Sequence, residues 1–332
     1  MIKHPYLMFL GDAHDQLAAK TADGVAYWRP DWCLGQMRLN GCQADLGLDD
    51  LTLEEAVERG VKTLVIGVAN RGGVISNSWE TPLIHALELG LDIAAGLHTR
   101  LNNLPKIRVV ADRCGRTLFD VRHCDRELPV GNGEKRAGKR LITVGTDCSI
   151  GKMYTALALE REMQKRNWKA TFRATGQTGI FIAGEGISVD AVIADFMSGA
   201  TEIIAPANDE DHWDLIEGQG SLFHPSFSGV TMALIHGSQP DALVLCHEPT
   251  RHHMRGLPNQ PLPDIATCLN TNVEAAKLTN PQAKMVGISI NTKLMPPEAV
   301  NAYLKEIADE HNLPCVDPLR TGVSAIVDYI KP

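Results

Sequence analysis

Apolar residues along this chain fall in short runs separated by longer stretches with helical periodicity. The two kinds of segment alternate over the whole length. In the first half, runs at 7–10, 63–68, 93–95 and 107–111 read as strands. In the second half the runs are 141–144, 170–174, 213–216, 242–246 and 285–290. Thr52 followed by Glu55 is a capping box that opens a helix, and Gly60 is a plausible stop. Thr81 and Pro82 form an N-cap and first-turn pair for a helix ending near Gly90. A further helix is predicted over 152–166, and others centre on Val192, Met232, Glu274 and Tyr303. Strands alternating with helices imply an α/β fold with a largely parallel sheet.

The alternation breaks between Pro129 and Lys139, where three glycines and one proline occur without apolar periodicity. That stretch is the expected domain boundary. It gives a Rossmann-like domain over 1–130, a linker over 131–139 and a second domain over 140–332. The total of 332 residues agrees, at roughly 150 residues per domain. A hydrophobic fraction of 44% and a charged fraction of 22% exclude disorder and a coiled coil. The net charge of -8 argues against a nucleic-acid binder with a broad basic face, but not against a local basic pocket. No two of the eight cysteines form a C-x-x-C pair, so zinc-ribbon and thioredoxin readings fail. Together with an N-terminus that lacks a secretory leader, they read as reduced thiols in a cytoplasmic protein. No apolar stretch approaches the roughly 18 residues needed to span a membrane. A symmetric homo-oligomer is the general expectation.

The most informative stretch runs from Gly145 through Thr146, Asp147, Cys148, Ser149, Ile150, Gly151 and Lys152 to Met153, between a predicted strand and a predicted helix. Glycines in that context let backbone N–H groups curl round a phosphate, and the helix N-terminus adds partial positive charge. Lys152 would reach the phosphate oxygens. These nine residues are the cofactor-binding candidates. The pattern G-x-x-x-x-G-K-[ST] is not met literally. One extra residue separates the glycines, and Met153 stands where a magnesium-ligating hydroxyl belongs. An ATP-hydrolysing reading is weakened, and a phosphate-bearing ligand that needs no metal, such as coenzyme A, is favoured. Asp147 and Glu217 could still hold a metal. Cys148 at a helix N-terminus has a nucleophile's position, although a small residue shaping the loop is the favoured reading.

Gly-Thr-Asp-x-x-x-Gly-Lys resembles the phosphate loop of dethiobiotin synthetase and its relatives. Glu217-Gly218-Gln219-Gly220-Ser221 is similar to a segment of the same group, in which the glutamate faces the phosphates at a strand's carboxyl end. The segment from Thr175 to Gly179, with Gln177 as a substrate-binding candidate, resembles a switch-like loop. The long stretch from His247 to Asp264 carries Arg251, His252, His253 and Arg255 and is a candidate lid. No G-x-G-x-x-G, H-E-x-x-H or G-x-S-x-G occurs, and no metal site is predicted.

As a whole the chain resembles the family that includes the DgcN-type D-glutamate N-acetyltransferases, formerly a domain of unknown function. The resemblance rests on the segment from Val68 to Gly73, on Gly145 to Met153 with the helix start Tyr154-Thr155-Ala156-Leu157, and on Glu217 to Ser221. It implies a Rossmann-like domain followed by a P-loop domain related to dethiobiotin synthetase. It also implies acetyl transfer from acetyl-CoA, as co-substrate, to the amino nitrogen of D-glutamate. Such chemistry needs a general base, donors for the thioester oxygen, and cations for two carboxylates. Placement near one predicted strand makes Glu217 the first candidate base, with His212 and His224 next. Arg71, Arg173 and Arg251 are candidates for the carboxylates. Two rivals stand beside this reading. One is an ATP- and magnesium-dependent ligase or kinase of the dethiobiotin synthetase type. The other is a nucleotide-sensing protein without catalysis.

Overall fold

The structure is a computed structural model that describes residues 1–70 and 72–330. Arg71, one of the expected carboxylate partners, lies outside the described residues. In chain order the first half runs β1 (Tyr6–Gly11), α1 (Lys20–Trp28), β2 (Cys33–Arg38), α2 (Leu53–Glu58), β3 (Thr63–Ile66), α3 (Glu80–Glu88), β4 (Asp92–Ala95), α4 (Pro105–Cys114) and β5 (Leu118–Asp120). There follow β6 (Lys139–Gly145), α5 (Lys152–Lys165), β7 (Ala170–Arg173), α6 (Gln177–Ala183), α7 (Met197–Ile204), β8 (Trp213–Ile216), α8 (Ser228–Ser238) and β9 (Ala242–His247). The chain then forms a hairpin of β10 (His253–Met254) and β11 (Leu257–Pro261). It ends with α9 (Ile265–Lys277), β12 (Lys284–Ile290), α10 (Pro297–His311), β13 (Cys315–Val316) and α11 (Ser324–Ile330).

These elements form two compact units. The first joins Met1–Asp125 to Gly176–Ala191, and the second takes the rest of the chain. The sheet of the first unit has the order β2-β1-β3-β4-β5, with every pairing parallel. All six residues of β1 are buried, as expected of a central strand in a parallel sheet covered on both faces. Leu7, Phe9, Leu64, Ile66, Leu83 and Ile93 share one core cluster. The later segment belongs here because Phe181 and Ile182 are fully buried and the backbone is pinned. The Tyr6 hydroxyl donates to the Phe181 carbonyl at 3.2 Å, and the Ile2 N–H to that of Gly184 at 2.7 Å.

The second unit carries a sheet of order β13-β12-β9-β6-β8-β7, again parallel throughout. The glycine-rich stretch before β6 has no regular secondary structure but is firmly held. The fully buried Arg140 guanidinium donates to the carbonyls of Arg136, Ala137, Gly138 and Pro206 at 3.0–3.3 Å. Glu202 accepts the N–H groups of Asn132 and Gly133.

The Thr52–Glu55 capping box forms, with bonds of 3.2 and 2.8 Å. Four expectations need correction. Residues 107–111 are not a strand but lie inside α4. Pro105 at its first turn and Gly115 at its left-handed end bound a helix that buries Ile107, Val110 and Ala111 at helical spacing. Thr81 is not an N-cap, since α3 starts at Glu80, continuing a short 3-10 turn at Asn77–Trp79. No α-helix centres on Val192, which stands between two 3-10 turns, with α7 following. The switch-like loop at 175–179 ends after Gly176, because α6 starts at Gln177.

Candidate active site

In the second unit β6 lies between β8 and β9, and its carboxyl end feeds the phosphate loop. Ser149 at φ +53° and Gly151 at φ +107° turn the chain back so that α5 begins at Lys152. The loop therefore sits on a helix N-terminus, whose first N–H groups have no partner within the helix. Lys152 folds into the loop and donates from Nζ to the Asp147 carbonyl at 2.7 Å. Its ammonium is buried, and burial pushes its pKa down.

The end of β8 meets this loop closely. A Cβ on Gly218 would stand 1.7 Å from the Thr143 carbonyl oxygen and 3.1 Å from Cδ of Lys152, so only glycine fits. Glu217, beside it, is buried, and its carboxylate accepts the Thr175 N–H at 2.9 Å. At the end of β9, Nδ1 of His247 lies 3.0 Å from the Thr146 hydroxyl. Burial, with a smaller contribution from the Arg251 charge, brings the His247 pKa down to about 4, so its ring is neutral at neutral pH.

Asp147 is fully buried and satisfied by three donors. Oδ1 accepts the Cys148 N–H at 2.7 Å, while Oδ2 accepts Arg251 Nη1 and the Arg255 N–H, each at 2.8 Å. Arg251 also donates to the carbonyls of Cys148 and Ser149 and to Glu248. His224 accepts the Ser226 N–H on Nδ1 at 3.2 Å. Its proton is then on Nε2, which donates to the Arg255 carbonyl at 3.1 Å.

The structure thus brings Glu217, His224 and Arg251 together with the residues from Gly145 to Met153. It does not bring His212 there. His212 precedes β8, and its carbonyl accepts the Lys139 N–H at the amino end of β6. The length of β6 puts it roughly 20 Å from the loop at ~3.3 Å per residue. Arg173 is spent on the buried Asp214 carboxylate, with Nε at 2.7 Å from Oδ1. Gln177 opens α6 in the first unit, where its Cβ lies 3.0 Å from the position a Cβ on Gly96 would take. Burial pushes the Cys148 thiol pKa up, which opposes a thiolate nucleophile. His247 and Arg255 were expected only as parts of the candidate lid at 247–264, not as residues of the site itself. The available signal for His247 was its position ending an apolar run, where open parallel sheets place ligands.

A family model described as a Rossmann-like domain of unknown function, DUF1611_N, matches residues 37–124, and one described as a P-loop domain, DUF1611_C, matches 129–327. The chain belongs to the DUF1611 family. A crystal structure of a DUF1611 protein from Anabaena variabilis superposes with a TM-score of 0.85 at 31% identity, covering 99% of each chain. Two relatives carry the name D-glutamate N-acetyltransferase. The one from Tritonibacter scottomollicae is 58% identical over 99% of each chain, and the one from a Pseudoalteromonas species is 49% identical over 98% of each.

Within this DUF1611 chain, Asp147, Cys148 and His224 bring one potential metal-donor atom each within 4.8 Å of the others. Their bonding does not fit a cation. Both Asp147 oxygens accept N–H donors, His224 Nε2 donates its proton, and the thiol holds its own. Lys152, Arg251 and Arg255 add positive charge around them. The side chains around the loop of this DUF1611 member thus carry an excess of cationic groups over carboxylates at Asp147. Among the described residues, no helix is long and apolar enough to cross a membrane.

Proposed function

We propose that this chain is a D-glutamate N-acetyltransferase that takes its acetyl group from acetyl-CoA. The observation that carries this is the 58% identity, over nearly the whole of both chains, to a protein of that name. The site chemistry agrees with a donor that needs no magnesium. Met153 supplies no hydroxyl, and the hydroxyl of Thr155 is engaged by the Gly151 carbonyl and by Ser289 at 3.0 and 2.8 Å. That weighs against the ATP-dependent alternative.

In this mechanism the loop N–H groups and Lys152 hold a phosphate of the donor. Glu217 takes a proton from the substrate ammonium, which frees the nitrogen lone pair. The nitrogen attacks the thioester carbonyl and an N–C bond forms; the nitrogen then gives up its second proton, the C–S bond breaks, and that proton goes to the departing sulfur, so that coenzyme A leaves as the thiol. Backbone N–H groups stabilise the oxygen as it gains charge. Since Arg173 is committed to Asp214, a substrate carboxylate falls to Arg251 in the second unit. Arg251 would exchange one carboxylate for another, a like-for-like replacement. We assign the reaction to amino-acid breakdown in the cytoplasm, carried out by a symmetric homo-oligomer.

The test is a thiol-release assay with acetyl-CoA across D- and L-amino acids. Thiol release with D-glutamate and not L-glutamate is expected. Magnesium-dependent ATP consumption without thiol release would overturn the proposal. Glu217→Gln should lower kcat by about 10²- to 10⁴-fold while the donor KM changes little. An unchanged kcat removes Glu217 from the role of base.

A further inference from the structure

Arg255 stands apart from the other cations at the phosphate loop. Arg251 is neutralised twice, by Asp147 at 2.8 Å and Glu248 at 2.6 Å. Among the described residues, no carboxylate lies within ion-pair distance of Arg255, whose guanidinium is exposed and hydrogen-bonds the Ser149 hydroxyl. Its backbone, however, is fixed from both sides. The N–H donates to Asp147 Oδ2 at 2.8 Å, and the carbonyl accepts from His224 Nε2 at 3.1 Å. Asp147 and His224 are 0% and 2% exposed. Two buried polar side chains thus hold the backbone of one residue at the tip of the β10–β11 hairpin, where Gly256 at φ +78° makes the turn. The position is rigid and the charge it presents is unspent. Such an arrangement lowers the ordering cost of binding an anion.

We infer that Arg255 is a second phosphate ligand of this site, presented to the acyl donor by Asp147 and His224. The inference rests on the reading that the donor is a coenzyme A thioester. That molecule carries a 5′-diphosphate and a 3′-phosphate, so Lys152 and the loop N–H groups leave phosphate charge for a further cation. A guanidinium suits the task, because its planar fork can donate two parallel bonds to phosphate oxygens.

The experiment compares wild type, Arg255→Gln and Arg255→Lys with acetyl-CoA, 3′-dephospho-acetyl-CoA and acetyl-pantetheine as donors. Arg255→Gln is expected to raise the acetyl-CoA KM at least about tenfold, the size of a lost charge-assisted contact. The KM for D-glutamate and the melting temperature should hold, and Arg255→Lys should fall between. If the 3′-phosphate is the partner, the variant and wild type become equal on the 3′-dephospho donor. If the 5′-diphosphate is the partner, the difference survives there and vanishes on acetyl-pantetheine. His224→Asn should raise the acetyl-CoA KM in wild type and add nothing in the Arg255→Gln background, as expected of a residue that acts through Arg255. Equal donor KM values for wild type and Arg255→Gln on acetyl-CoA overturn the inference alone. A wild-type protein that neither binds acetyl-CoA nor releases thiol overturns it together with the proposed activity.

Discussion

Each unit buries an aspartate at the carboxyl end of a parallel strand, and the two are used differently. Asp120 ends β5 and accepts the Leu101 N–H at 2.7 Å, the Asn102 N–H at 3.1 Å and Asn102 Nδ2 at 2.8 Å. Its partners are neutral and belong to one short turn, so it acts as a structural clasp. Asp147 follows β6 and also accepts two backbone N–H groups, but its remaining partner is the guanidinium of Arg251. A buried lysine and a second arginine lie close by. Burial of a carboxylate is therefore not the mark of a functional site. The mark is a surplus of cations around it, on side chains that can exchange partners with a ligand.

The contrast breaks most visibly at Lys152. Lys152→Met keeps the apolar stem and removes the ammonium, so donor affinity measured by calorimetry should fall by at least about tenfold. The melting temperature of the free protein should hold or rise, because burial already disfavours the charged form. Unchanged affinity would remove the loop from donor binding. Asp120→Asn should show the opposite signature, with stability falling by about 1–3 kcal/mol in denaturant titrations as two amide donors face each other. Its kcat/KM per folded molecule should not move. A smaller effect concerns acid. His247 has a folded pKa of about 4 against an ordinary 6.5. Above pH 6.5 neither folded nor unfolded chain carries this proton, and stability is unaffected. As pH falls from about 6.5 to about 4, the unfolded chain takes up the proton first, so stability declines across that window. His247→Gln should flatten this part of the melting-temperature profile. An equally steep profile in the variant assigns the slope to other groups.

Much of the fold was legible because buried parallel strands are short continuous apolar runs, as in β1, β3, β6 and β9. The edge strand β2, with Gly35, Gln36 and Arg38, carries no such run and escaped notice. The apolar cluster at 107–111 misled because five residues are too few to separate periods of 2 and 3.6. The phosphate loop was legible because it is contiguous. Its partners were not, since Arg251 and Arg255 reach Asp147 across more than 100 residues of chain. His212 shows a further limit. It and Glu217 flank the same strand in sequence, but a strand has two ends and only one faces the loop.

The passage of Gly176–Ala191 into the first unit has a consequence for how this chain can be divided or inherited. The backbone changes unit three times, after Asp125, Thr175 and Ala191. A truncation or gene fusion made at the glycine-rich stretch would strip the first unit of the segment that supplies Phe181 and Ile182, leaving their apolar seats open to water. The two halves thus behave as one genetic module. Neither can be recombined by a single cut, and an autonomous first unit would require that segment to be spliced back by circular permutation or as a separate peptide.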